Sequence, residues 1–104
     1  MVKISVMYPH KPGARFDFEY YRHTHMRLVA EHEGPHGLLR TTVERGLPAA
    51  DGSPPPFVCI GSLYFNTVQE YTSIPEATAA RLRADIPNYT DITPVRQFSE
   101  LLEA

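Results

Sequence analysis
The chain has 104 residues, 42% hydrophobic and 21% charged, which fits one folded domain and excludes a disordered or low-complexity segment. Its net charge of −2, without any basic run, leaves no electrostatic footprint for nucleic acid. No stretch is long and apolar enough for a membrane span, and the lone Cys59 rules out an internal disulfide, so a cytoplasmic protein is expected.

Val2, Ile4, Val6 and Tyr8 alternate with Lys3, Ser5 and Met7, which predicts a first strand and no signal-peptide core. Pro9 to Gly13 carries turn chemistry. Asp17 then reads as a helix N-cap, with Phe16 and Tyr21 spaced as a hydrophobic staple. The helix runs to about Glu33, where Gly34-Pro35 stops it. Leu38 to Arg45 predicts a second strand, and the proline-rich Gly46 to Pro56 a long hairpin connection. Phe57 to Phe65 is the strongest strand pattern. Thr67 with Glu70 has capping-box spacing, Pro75 interrupts the helix, and Ser73 with Glu76 repeats the capping pattern before a segment ending near Asp85. Ile92 to Phe98 completes the set as a last strand.

The order β-α-β-β-α-β is the ferredoxin-like arrangement of one α+β domain, a four-stranded antiparallel sheet with both helices on one face. In the central strand Phe57, Cys59, Leu63 and Phe65 are apolar on one parity, but so are Val58, Ile60 and Tyr64 on the other. A sheet covered on one face should alternate with polar residues. No helix remains for the second face, so a second copy is expected there, giving a homodimer.

On an ideal helix His25 lies about 20° from Phe18 and about 40° from Val29. It therefore joins a core stripe of Phe18, Tyr21, Leu28, Val29 and His32, while His23 lies about 160° away. Two such histidines cannot share one ion, and His25 and His32 are about 10 Å apart along the axis. No metal site is expected. His25 is either a structural histidine under the helix or a general acid/base lining a cavity between helix and sheet. Near the end, Asp85-Ile86-Pro87-Asn88-Tyr89-Thr90-Asp91 reads as a turn. Tyr89 there needs a partner for its hydroxyl. The expected pocket contains His25 and Tyr89 as reacting groups, with Tyr8, Tyr21, Tyr64, His32 and Asp91 as ligand contacts.

The opening Val2 to Pro9, Phe16-Asp17-Phe18, Tyr20-Tyr21, His25-Met26, Gly34-Pro35-His36-Gly37-Leu38, Arg45-Gly46-Leu47, Gly61 to Phe65 and Asp85 to Asp91 together resemble the EthD family. The Pro-Asn-Tyr-Thr-Asp block is the most specific part. The resemblance implies a ferredoxin-like subunit that dimerises into an α+β barrel, with the family histidine at His25 and the closing tyrosine at Tyr89. EthD proteins are associated with bacterial degradation of an ether fuel additive, and members often carry the name reductase. Related dimeric barrels include isomerases, cofactor-free oxygenases and cyclases that handle aromatic or hydrophobic ligands. The family pattern His-Met-Pro-Leu is here His25-Met26-Arg27-Leu28, which predicts a straighter helix at that point.

No Gly-rich dinucleotide turn and no ligand set for haem or iron–sulfur is present in the sequence, so no cofactor is expected. Three readings stay open. One is an enzyme that transforms a small hydrophobic or aromatic compound, with His25 as general acid/base. Another is a non-catalytic binding or accessory protein of a catabolic pathway. The last is a structural dimer with a vestigial pocket.

Overall fold
The fold follows from a computed structural model that describes residues 1–104. Four strands, β1 (Val2–Pro9), β2 (Arg40–Arg45), β3 (Phe57–Phe65) and β4 (Val95–Glu100), form one sheet in the order β2-β3-β1-β4. Every neighbouring pair is antiparallel. Helix α1 spans residues 18–33, α2 is Val68–Thr72 and α3 is Glu76–Ala84. The architecture is the expected α+β, ferredoxin-like one. Ile4, Val6 and Tyr8 of β1 and Cys59, Leu63 and Phe65 of β3 turn toward the helices and form the core with Tyr21, Met26, Val29 and Leu82.

Local chemistry sets most boundaries. The Asp17 side chain accepts from the Tyr20 amide, and the Phe16 and Tyr21 rings meet at 5.3 Å as the staple predicts. Thr67 and Glu70 close the expected capping box on α2. No side chain caps α3, contrary to the Ser73–Glu76 expectation. The carbonyl of Pro75, directly before the helix, accepts from the Thr78 and Ala79 amides instead. β2 begins two residues later than expected, because Gly37 reverses the chain at φ 110° and the Leu38 amide turns back to the Glu33 carbonyl. β4 begins at Val95 rather than Ile92. Pro94 has no amide to give a ladder, and the Ile92 amide is bound by the Thr90 hydroxyl.

The main departure lies inside α1. Residues Phe18–Tyr20 start it, Tyr21–His25 form a π turn, and Met26–Glu33 continue as α-helix. The Met26 amide bonds to the Tyr21 carbonyl, five residues back. A π turn takes up one residue more than an α turn, so everything after it is out of phase with an ideal helix. The buried residues run Tyr21, His25, Met26, Val29, Glu33. The regular spacing had put Leu28 and His32 on that stripe. Arg27, in place of the family proline, lies in the regular α-helical part that follows the π turn.

The opposite face of the sheet carries Val58, Ile60 and Tyr64 of β3 and Val95 of β4, and the molecule is only 19 Å thick along its shortest axis. That is room for one sheet and one helix layer. The hydroxyl of Ser62, on the same face, is buried without a partner.

Candidate functional site
A cavity of about 340 Å³ lies between α1, α3 and the sheet, and 11 of its 17 lining residues are hydrophobic. Its polar groups are few, so each has a definable job. Tyr8 arrives from the end of β1, Tyr21 and His25 from the π turn, Glu33 from the last turn of α1, Arg96 from β4, and Glu76 with Arg83 from α3.

His25 is held from behind. Its Nδ1 lies 2.9 Å from Asp85 Oδ2, and Asp85 Oδ1 accepts from the Tyr20 hydroxyl at 2.7 Å and from Asn88 Nδ2 at 2.9 Å. Burial raises the Asp85 carboxyl, but the bonds from Asn88, Tyr20 and His25 outweigh it and hold the group below the usual carboxylate range. Asp85 is thus an ionised acceptor, which fixes the proton of neutral His25 on Nδ1. Nε2 has no protein partner. Burial lowers the imidazole pKa despite Asp85, so the ring is neutral at pH 7 and Nε2 is a free base.

The imidazole packs in an aromatic nest. It stacks on Tyr21 at 5.5 Å between centroids and tilts against Tyr89 at 4.7 Å. Tyr89 is fully buried, and its hydroxyl lies 2.6 Å from that of Tyr8. Desolvation raises the phenols of Tyr8, Tyr21 and Tyr89. They can therefore donate hydrogen bonds, but they do not supply phenolate bases. The Tyr21 hydroxyl occupies the space over Gly61, where a Cβ would come within 1.9 Å of it. A side chain at Gly61 would displace the ring that His25 stacks on.

The closing block is tied to the start of α1 by many bonds. Asp17 and Tyr89 share a backbone bond of 2.8 Å, the Thr90 hydroxyl donates to the Arg15 carbonyl, and Arg15 Nη2 donates to the Pro87 carbonyl at 2.8 Å. Asp91 belongs to this clasp. Its Oδ1 accepts the Arg15 amide at 3.0 Å, and the residue is exposed and outside the cavity.

Of the residues singled out by sequence, the structure brings His25, Tyr8 and Tyr21 to the cavity and sets Tyr89 directly behind them. It does not bring Tyr64, His32 or Asp91 there. Tyr64 pairs in register with Lys3 and Arg40 on the opposite face of the sheet, under the Arg40 guanidinium. His32 is displaced by the one-residue phase shift of the π turn, and Glu33 takes its place at the cavity. Sequence reasoning missed Glu33, Arg96 and the role of Asp85. The run Met26, Val29, Glu33, read as a stripe of its own, carries the signal for Glu33.

Glu33 differs from Asp85 in every respect. It is 94% buried, counting from an exposure of 6%, and its Oε1 has no hydrogen-bond partner. Burial raises its pKa to about 7, against the pull of Arg96. Cys59 beneath the site is held as a thiol, its pKa pushed up by burial to about 12. No cluster of three His, Cys, Asp or Glu side chains that could hold a metal ion is present. No helix is long and apolar enough to cross a membrane.

The EthD domain model matches residues 14–93, a span that contains the π turn, Glu33 and the closing clasp. An EthD-like protein of Ralstonia eutropha JMP134 has 39% identity over 98% of this chain and 92% of its own, with a TM-score of 0.91. An ethyl tert-butyl ether D (EthD) family protein of Bacillus halodurans C-125 has 18% identity over 98% and 99%, with a TM-score of 0.74. HapK of Hahella chejuensis shares the fold at 17% identity over 100% and 95%, with a TM-score of 0.62. No curated protein matches the chain. The matched span, the Ralstonia neighbour and the fold together show that the chain belongs to the EthD family.

Proposed function
We propose that this EthD-family protein binds a small hydrophobic or aromatic compound between α1 and the sheet, and transforms it with His25 as general acid/base. One observation carries the reading: Asp85 fixes the His25 proton on Nδ1, and Nε2 meets a largely apolar cavity without a partner. A base needs such an orienting group to present the right nitrogen. In this reading Nε2 takes a proton from the bound compound and returns it at another atom or to a leaving group. Tyr89 acts by seating the imidazole and by holding the Tyr8 hydroxyl, while Tyr8 and Tyr21 touch the ligand.

The working unit in this proposal is a cytoplasmic homodimer. Support for the second copy comes from the open face with Val58, Ile60, Tyr64 and Val95. Equilibrium sedimentation of the wild type should give a mass twice that of the chain, and a concentration-independent monomer would remove the dimer from the proposal.

The test of function is a thermal-shift screen of phenols, lactones and other small aromatic compounds on wild type and His25→Phe. Ligands should raise the wild-type Tm by several degrees and leave the variant unmoved. Turnover of such a hit should fall by about 10²–10⁴ in His25→Phe. Hits that stabilise both proteins equally would make His25 structural. Hits without turnover would leave a binding or accessory protein.

A further inference from the structure
The far end of the cavity holds two polar groups that the acid/base reading leaves idle. Glu33 sits eight residues beyond His25 on α1, about 12 Å along a helix axis. The residue lines the cavity, and its Oε1 is buried without a partner. Arg96 reaches the same cavity from β4, beside Val6 of β1. Its Nε donates to the Tyr71 hydroxyl at 3.2 Å, and no carboxylate pairs with its remaining nitrogens. The two residues feel each other's charge without forming an ion pair.

What would satisfy both is a matter of charge. A cationic group could pair with Glu33 but would face Arg96. A neutral hydroxyl could bond to Glu33 but would make no ionic contact with Arg96, an exposed residue of β4. A carboxylate accepts from the Arg96 nitrogens, and its second oxygen accepts from a protonated Glu33. We propose that the ligand carries a carboxylate, held by Arg96 and by Glu33 as hydrogen-bond donor, with its apolar body directed toward His25. This rests on the cavity being the ligand site, as argued above.

The assignment links binding to a proton. Where Glu33 is ionised in the free protein, the arriving carboxylate must bring one proton onto it. The other titratable or charged groups that line the cavity are Tyr8 on β1, Tyr21 and His25 on α1, Tyr71 on α2, Glu76 and Arg83 (paired with each other) on α3, and Arg96 on β4. Burial keeps Glu33 about half protonated at neutral pH, so it is poised to accept that proton.

Two probes of one shape test the idea: 1-naphthoate and the uncharged 1-naphthalenemethanol. Binding is followed by amide NMR shifts at Val29 and Leu82 in wild type, Glu33→Gln and Arg96→Met, at pH 6 and pH 8. Wild type should prefer the naphthoate by about tenfold or more at pH 6 and lose about tenfold of that affinity by pH 8. Glu33→Gln, whose amide still donates, should bind naphthoate with no pH loss of this size. Arg96→Met should bind both probes alike. Equal affinities of the two probes in wild type, or an unchanged pH loss in Glu33→Gln, would overturn the carboxylate assignment and leave the cavity as a ligand site. If neither probe moves those amides, the cavity reading falls and this inference with it.

Discussion

Two carboxylates bracket the same cavity and behave in opposite ways. Asp85 is surrounded by donors from Tyr20, His25 and Asn88 and stays ionised well into acid. Glu33 is more deeply buried, has one oxygen with no donor at all, and holds its proton up to about pH 7. Burial alone raises both. The difference lies in the depth of burial and in the hydrogen-bond complement, and it teaches that the charge state of an acid inside a protein depends on the donors aimed at it as well as on its burial.

The sharpest way to break the comparison is to remove the well-served partner. Asp85→Ala strands a buried imidazole and the Tyr20 hydroxyl, and should cost about 3 kcal/mol in urea denaturation at pH 7. Asp85→Asn should cost less while still abolishing any His25-dependent turnover, because the amide can donate to Nδ1 and select the wrong tautomer.

Glu33 should respond with the other sign. Its folded pKa of about 7 lies above the ordinary carboxyl value of 4.5, so the native state binds more protons between these values. Its contribution to stability is fully present below about pH 4.5 and is lost as pH rises through 7. Glu33→Leu should therefore gain on the wild type by about 3 kcal/mol between pH 4.5 and pH 8, read from paired denaturation curves. A difference that does not grow with pH would mean that Glu33 is solvated or paired after all.

Gly61→Ala sharpens the contrast by disturbing one end only. It pushes on the Tyr21 hydroxyl, should cost about 2 kcal/mol, and should shift the titration of His25 while leaving that of Glu33 in place. The smallest effect belongs to Thr67→Ala. Loss of the capping box should cost about 1 kcal/mol and loosen α2, which carries the Tyr71 hydroxyl bound to Arg96 at the Glu33 end. NMR titration of His25 should not notice it.

Much of this was legible in the sequence. Alternation in Val2 to Tyr8 and Phe57 to Phe65, the Asp17 and Thr67 caps and the Pro75 break follow from residue chemistry acting over a few positions, and the structure keeps them. The parity of Tyr64, shared with Val58 and Ile60, already placed it on the far side of the sheet from Cys59 and Leu63, so its assignment to the pocket overlooked a readable signal. The π turn was not readable by periodicity, because periodicity assumes a constant 3.6 residues per turn. It is accompanied by contacts distant in the chain: Tyr21 against Gly61, and His25 against Asp85. With it went the rotation that replaces His32 by Glu33. Asp91 failed as a pocket residue for a similar reason, since its partner Arg15 lies 76 positions away.

The π turn has a further consequence for how the site can vary. It works as a phase adjuster between two rigid rods: the clasp near Asp85 sets the first half of α1, and the core under Val29 sets the second. Deleting one exposed residue from it, such as Arg22, would turn the Met26–Tyr21 bond into a regular α-helical one and leave the second half of the helix in its present phase. Glu33 would then keep its place at the cavity and His32 its place outside it, and the change would fall on the turn that carries Tyr21 and His25. The length of this turn can thus vary by one residue without moving the carboxylic acid at the far end of the pocket, which uncouples the imidazole end of the site from the Glu33 end.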